Sequence, residues 1–229
     1  MQKMMLGLMK MYQLFAWLGL IVVFVAFLFS FQGASANALF FSVDKATREA
    51  AGAGSALALA NVTRHTLPIW VPYLKFLGLG LMLGAITMAL GLIATTLRDL
   101  GKDVMAKWPA ELNPGVPDKP VTSKMFPMAM MMGWLLLIIA LIWAISLTGV
   151  AGSYWNHAIA TELNPAEAGS FLLAQLGTIV STPPWISFVR WLGMAFLFTG
   201  ITVALTVIIR TLQHQNETLR TFIGARQSS

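Results

Sequence analysis

WLGMAFLFTGITVALTVII, residues 191–209, runs without a charge between Arg190 and Arg210, and its reading decides the fold. As a helix at ~1.5 Å per residue it covers about 28 Å, close to the ~30 Å hydrocarbon core of a bilayer. The two arginines can extend their side chains outward from its ends. The stretch is therefore expected to cross a membrane.

Three further stretches repeat the pattern. No charge lies between Lys10 and Asp44, and Phe76 to Leu97 and Met125 to Tyr154 are also free of charge. The expected spans cover about residues 11–32, 71–97, 126–150 and 186–210. Composition agrees: 57% of the 229 residues are hydrophobic and 10% are charged, against roughly 25% charged in a soluble domain. Mean hydropathy is +0.73. A net charge of +6 could suit nucleic acid. The basic residues, however, flank apolar runs instead of forming a patch, so no nucleic-acid partner is expected. The absence of cysteine excludes disulfides, thiolate metal sites, Cys-ligated iron–sulfur clusters and c-type haem attachment.

Basic residues sort by side. Lys3 and Lys10 precede the first span, Arg98, Lys102, Lys107, Lys119 and Lys124 lie between the second and third, and Arg210, Arg220 and Arg226 follow the fourth. These segments are expected to be cytoplasmic, with both termini inside and the residues near 33–69 and 151–184 outside. Ala34-Ser35-Ala36 after a basic start and an apolar run resembles a signal-peptide cleavage site. The run is long for such a peptide, and it occupies the place that the third span takes in the second half.

That comparison rests on an internal repeat. A shift of 115 residues aligns Ala53-Gly54-Ser55 with Ala168-Gly169-Ser170, Thr63 with Thr178, Pro68 with Pro183 and Trp70 with Trp185, with 16 identities in 45 gap-free positions. The expected architecture is an all-α integral membrane protein of two tandem two-helix repeats. Repeat 1 covers 1–108 and repeat 2 covers 125–229, joined by a cytoplasmic linker at 109–124. Each repeat has an even number of spans, so both share one orientation. Asn164-Pro165-Ala166-Glu167 has the form of a capping box and predicts a short outer helix from Pro165 to Leu176, with a counterpart from Asp44 to Asn61. Pro68, Pro183 and Pro184 are expected to punctuate the chain before the inward-going spans. Trp70, Tyr73, Trp185 and Trp191 are expected in an aromatic belt. The second and fourth helices should continue as cytoplasmic stalks.

Candidate chemistry is sparse. Lys75 and Arg190 are equivalent in the repeat, five residues inside Trp70 and Trp185, about 7.5 Å along a helix. They could hold an anion, namely a lipid headgroup, a quinone oxygen or a partner's carboxylate; the plainer reading is snorkelling to the outer interface. His65 and His157 near span ends could be imagined as axial ligands of one haem. That needs two imidazoles facing each other at one depth, and these two are not repeat equivalents. His214 reads as a solvated stalk residue. Methionines at the inner ends of spans one and three, among them Met4, Met5, Met9, Met11, Met125 and Met128, could suggest Cu(I), but without Cys or His they read as packing, and no metal site is expected. Gly80 and Gly84, and Gly200 and Ala204, form small-residue faces for close helix approach. Asn61-Val62-Thr63 is a glycosylation sequon.

No Asp, Glu or His lies inside a span, no span is broken by proline at its middle, and no nucleotide or triad motif is present. No catalytic residue is assigned. The leading expectation is a non-catalytic membrane subunit of a larger complex, in a prokaryotic inner membrane, contacting other subunits and bound lipids and possible as a homo-oligomer. A haem- or quinone-binding electron-transfer subunit is the alternative, and a small oligomeric channel or transporter the third.

Overall fold

The computed structural model describes residues 7, 9–107, 121–158, 161 and 170–227, of which 92% are helical and none are in strands. Helix α1 runs Tyr12–Phe41, α2 Lys45–Glu49, α3 Ala56–Met105, α4 Met125–Tyr154 and α5 Ser170–Gln227, with a 3₁₀ turn at Val121–Lys124 before α4. Four of them are long and apolar enough to cross a bilayer. The chain is thus suited to a multi-pass membrane protein. Hydrocarbon offers no hydrogen bonds, so a segment crossing it must satisfy its amides internally, which a helix does. Threonines in these helices follow the same rule. Thr87 is fully buried, and its hydroxyl donates to the Leu83 carbonyl at 3.0 Å.

Local chemistry sets the ends of α2 and the start of α3. Asp44 Oδ1 accepts from the Thr47 amide at 2.7 Å, capping α2. Hydrogen bonding from Thr47, with help from Arg48, holds the Asp44 carboxyl below its ordinary pKa. This cap is present with the carboxylate and is lost as pH falls through that lowered value. Gly54 then takes a φ of +75°, open to glycine at no steric cost, and Ser55 Oγ accepts from the Ala58 amide to start α3.

The turn corrects one expectation. The outer helix predicted over Asp44–Asn61 is divided, because the glycine-containing segment after Glu49 interrupts it and α3 begins at Ala56. A second correction concerns proline. Pro68 lies inside α3, and Pro183 and Pro184 inside α5, where all three were expected to punctuate the chain; Pro72 is also within α3. Each proline removes one backbone hydrogen bond, but packed neighbours hold the helix, on both sides of Pro68 and after Pro184. Leu67 and Val71 are buried with Ala26, and Ile186 is fully buried beside Ala140 and Ala144. The linker from Pro109 to Pro120, the Asn164–Glu167 capping box and the Ala168-Gly169 match lie outside the described residues.

The chain divides into two compact units. The first comprises Leu18–Gly80 and Trp134–Met194. Its tightest approach is at Gly78, where a Cβ would stand 2.7 Å from Val23 Cγ2 and 2.8 Å from the Gly19 carbonyl. Trp134 Nε1 donates to the Gly80 carbonyl at 2.8 Å. Here α3 and α5 run parallel, with Tyr73 Oη 3.2 Å from Ser187 Oγ and the rings of Phe76 and Trp191 5.3 Å apart.

The second unit comprises Met1–Trp17, Leu81–Gly133 and Ala195–Ser229. Gly91 faces the Phe126 ring and Met9 Sδ, and a Cβ on Gly200 would lie 3.3 Å from the Phe126 carbonyl. Gln215 Nε2 donates to the Leu97 carbonyl at 2.8 Å, directly over Gly101.

Because the atoms facing Gly78 include backbone, G78A should lower unfolding free energy in detergent by about 1–3 kcal/mol. G177A, at a helical glycine with open space beside it, should gain up to about 1 kcal/mol from helix propensity. Thermal unfolding of both variants checks the contrast; equal stabilities would remove the close approach from the account.

Candidate functional site

Arg190 is placed by the packing of its own helix. One turn before it, Ile186 is fully buried against Ala140 and Ala144 of α4, and Val189 packs against the same cluster. The guanidinium then lies among rings, with Cζ 4.3 Å from the centroid of Phe76, 5.0 Å from Tyr73 and 5.6 Å from Trp191. Tyr73 is only 5% exposed, which corrects its assignment to an interfacial belt, since its hydroxyl is met by Ser187 inside the protein. Arg190 Nε is buried with no acceptor among the described residues. A planar cation in an aromatic surround, with one donor unused, can take an anionic or carbonyl oxygen.

Lys75 is half-buried and makes no hydrogen bond or ion pair among the described residues. Its level is set by Val71, which clusters with Ala26, and by Gly78, which faces Gly19 and Val23. That places Lys75 opposite the middle of α1. Arg190, a turn from the contacts with Ala140 and Ala144, is likewise opposite the middle of α4. Both α1 and α4 lack charged residues. On their own helices, by contrast, the two cations bound the N-terminal ends of charge-free stretches. Reading each helix alone misses this offset, because depth relative to a neighbour depends on helix register.

A second constellation surrounds His65. Its ring stacks on Trp155 at 3.7 Å with an interplanar angle of 6°, and Arg64 Nη2 lies 3.0 Å from its Nε2. Arg64 also donates through Nε to Asn61 Oδ1 at 2.9 Å and sits 4.0 Å above the Phe40 ring. Arg48 covers Phe40 and Phe41 as well. His157 Nδ1 is 3.0 Å from the Tyr154 carbonyl, so that nitrogen carries the proton. His65 and His157 thus both flank Trp155, and Arg64 lies on the Nε2 side of the His65 ring. Asn61 is 2% exposed inside α3, so the sequon is not presented on a loop.

Gly80, Gly84, Gly200 and Ala204 are all buried, and Gly200 packs against Phe126, Met130 and Ala129. His214 is half-buried, with Nε2 enclosed and unpartnered, instead of solvated. Met125, Met128, Met131 and Met132 are exposed and Met130 is buried; Met4 and Met5 lie outside the described residues. No group of three His, Asp or Glu suited to a metal occurs among the described residues. Sequence reading missed Tyr73, Phe76, Ser187, Arg64 and Trp155. The only signal available for Phe76 was its alignment with Trp191 under the 115-residue shift.

R190Q, which deletes the cation from its aromatic surround, should lower stability in detergent by about 1–2 kcal/mol, with R190K recovering part of the loss. Undiminished thermal stability in R190Q would mean that the rings do not hold the guanidinium. Comparison with protein-family models, with curated proteins and with solved structures finds no match to this chain.

Proposed function

We propose that this chain is a non-catalytic membrane subunit of a larger assembly, in a prokaryotic cell membrane with both termini cytoplasmic, built from two like-oriented hairpin repeats. The observation that carries the reading is the length of exposed apolar surface. Along α5, large apolar side chains are exposed from Phe171 through Val180, Trp185, Phe188 and Phe198 to Ile209, about 57 Å of helix at ~1.5 Å per residue. A bilayer core covers about 30 Å, and even a 40° tilt leaves more than 10 Å of this surface beyond it. Helix α1 adds Leu39 and Phe41 near its far end. Apolar surface outside lipid and open to water is costly, and another protein chain is the ordinary cover.

Contacts support the repeat as well. Phe76 and Trp191, equivalent under the shift of 115, touch each other. Val71 and Ile186, another equivalent pair, are each buried, the first with Ala26 and the second in a cluster flanked by its equivalent, Leu141. Two hairpins related by an axis along the membrane normal would meet in this way.

The orphaned Nε of Arg190 favours a second reading, in which the aromatic surround holds the oxygen of an anionic lipid or a quinone in an electron-transfer subunit.

Extraction of the native protein in polymer-bounded lipid discs should yield it with other chains in fixed stoichiometry; recovery as a lone, unaccompanied species sinks the subunit reading. Lipid and quinone extraction from the wild type and R190Q addresses the second: one tightly held anionic lipid or quinone per chain should drop severalfold in the variant. Equal content in both would remove Arg190 as a ligand.

A further inference from the structure

The second unit carries a seam that none of its described helices covers. On α5, Phe198, Thr202, Leu205, Ile209, Leu212, Asn216, Leu219 and Ile223 follow one another at alternating intervals of four and three residues, and every one is exposed. The five aliphatic members are 42–55% exposed. The opposite face of the helix, with Ala204, Val207 and Thr218 buried, packs within the chain, and Gln215, bonded to the Leu97 carbonyl, closes the flank beside Asn216. An average interval of 3.5 residues keeps one apolar stripe aligned along two helices that supercoil left-handedly.

Residue types at the seam say what would cover it. With the three-residue step running from a to d, Ile209, Asn216 and Ile223 take a positions and Leu205, Leu212 and Leu219 take d positions. Isoleucine at a with leucine at d favours two parallel strands, and one asparagine at an a position fixes register and strand number at some cost in stability. An unrelated partner helix would have to supply a matching polar residue at that level; a second copy supplies it automatically. The flanking e and g positions from Thr199 to Arg220 hold a single charge, Arg220, so no like charges oppose pairing.

The bilayer adds what a 26-residue seam alone would lack. Two copies inserted in the same direction present their α5 helices parallel and at equal depth. This places Asn216 opposite Asn216 before any contact forms and removes antiparallel and shifted alternatives.

We propose that Phe198–Ile223 of α5 is the seam of a parallel two-stranded coiled coil with a second copy of this chain, registered by an Asn216 pair. The inference rests on the membrane-spanning reading and is independent of which other chains the assembly contains.

The full chain has no cysteine, so single cysteines report without background. In native membranes under oxidation, L212C, N216C, L219C and I223C should form disulfide-linked dimers severalfold more than Q213C, E217C and T221C. Disulfide yield without that period, or cross-links only to a different chain, overturns the proposal. In lipid discs the wild type should contain two copies of the 24.9 kDa chain, and the double variant L212D/L219D, altered only at exposed positions, should contain one; an unchanged copy number overturns it. A bare homodimer would remove the subunit reading and leave this one standing, whereas a heteromeric assembly with one copy per particle would do the reverse.

Discussion

The absence of water in hydrocarbon is the constraint from which the rest of this structure follows. Each amide must find its acceptor within the same segment, so α1, α3, α4 and α5 form long uninterrupted rods even where proline, threonine and glycine would weaken a helix in water. With backbone bonding met inside each rod, little remains to bring rods together except close packing. The contacts show it: Gly78 admits the Gly19 carbonyl, Gly91 admits the Phe126 ring and Gly200 lies against the backbone of α4. Among the described residues, polar links between helices reach from a side chain to a carbonyl, as with Trp134 to Gly80 and Gln215 to Leu97, or between two side chains, as with Tyr73 and Ser187.

Against this background the charged groups stand out. Arg190 sits among Tyr73, Phe76 and Trp191, and Arg64 sits over Phe40. Aromatic faces provide partial compensation for a guanidinium withdrawn from water. The same device serves both, although only the Arg190 group lies opposite the middles of charge-free neighbours. A guanidinium tolerates this better than an ammonium, being planar and more weakly hydrated. The repeat counterpart Lys75 lacks such a surround among the described residues.

What could be read from the sequence follows the physics of single segments. The four apolar helices were legible because crossing a bilayer requires a long charge-free run, and the burial of Gly80, Gly84, Gly200 and Ala204 was legible because small residues at helical spacing permit close approach. Pairwise geometry was not. Gly78 is the tightest approach, yet nothing local separates it from its neighbour Gly80; its role appears only once α1 is set in register beside α3. The stacking of His65 on Trp155 joins residues 90 positions apart, and hydropathy is silent about it. The prolines misled because their preference for helix ends was learned where water can bond a freed carbonyl, while here buried neighbours such as Leu67, Val71 and Ile186 hold the rod.

Those prolines have one more effect. Each proline has no amide to offer the carbonyl four residues earlier, which is that of Pro68 for Pro72 in α3 and those of Ile179 and Val180 for Pro183 and Pro184 in α5. Exposed to hydrocarbon such oxygens are expensive; at a wet boundary they are harmless. In sequence these carbonyls stand within about two turns of Trp70 and Trp185, a place on each helix where a solvent-facing end would suit them.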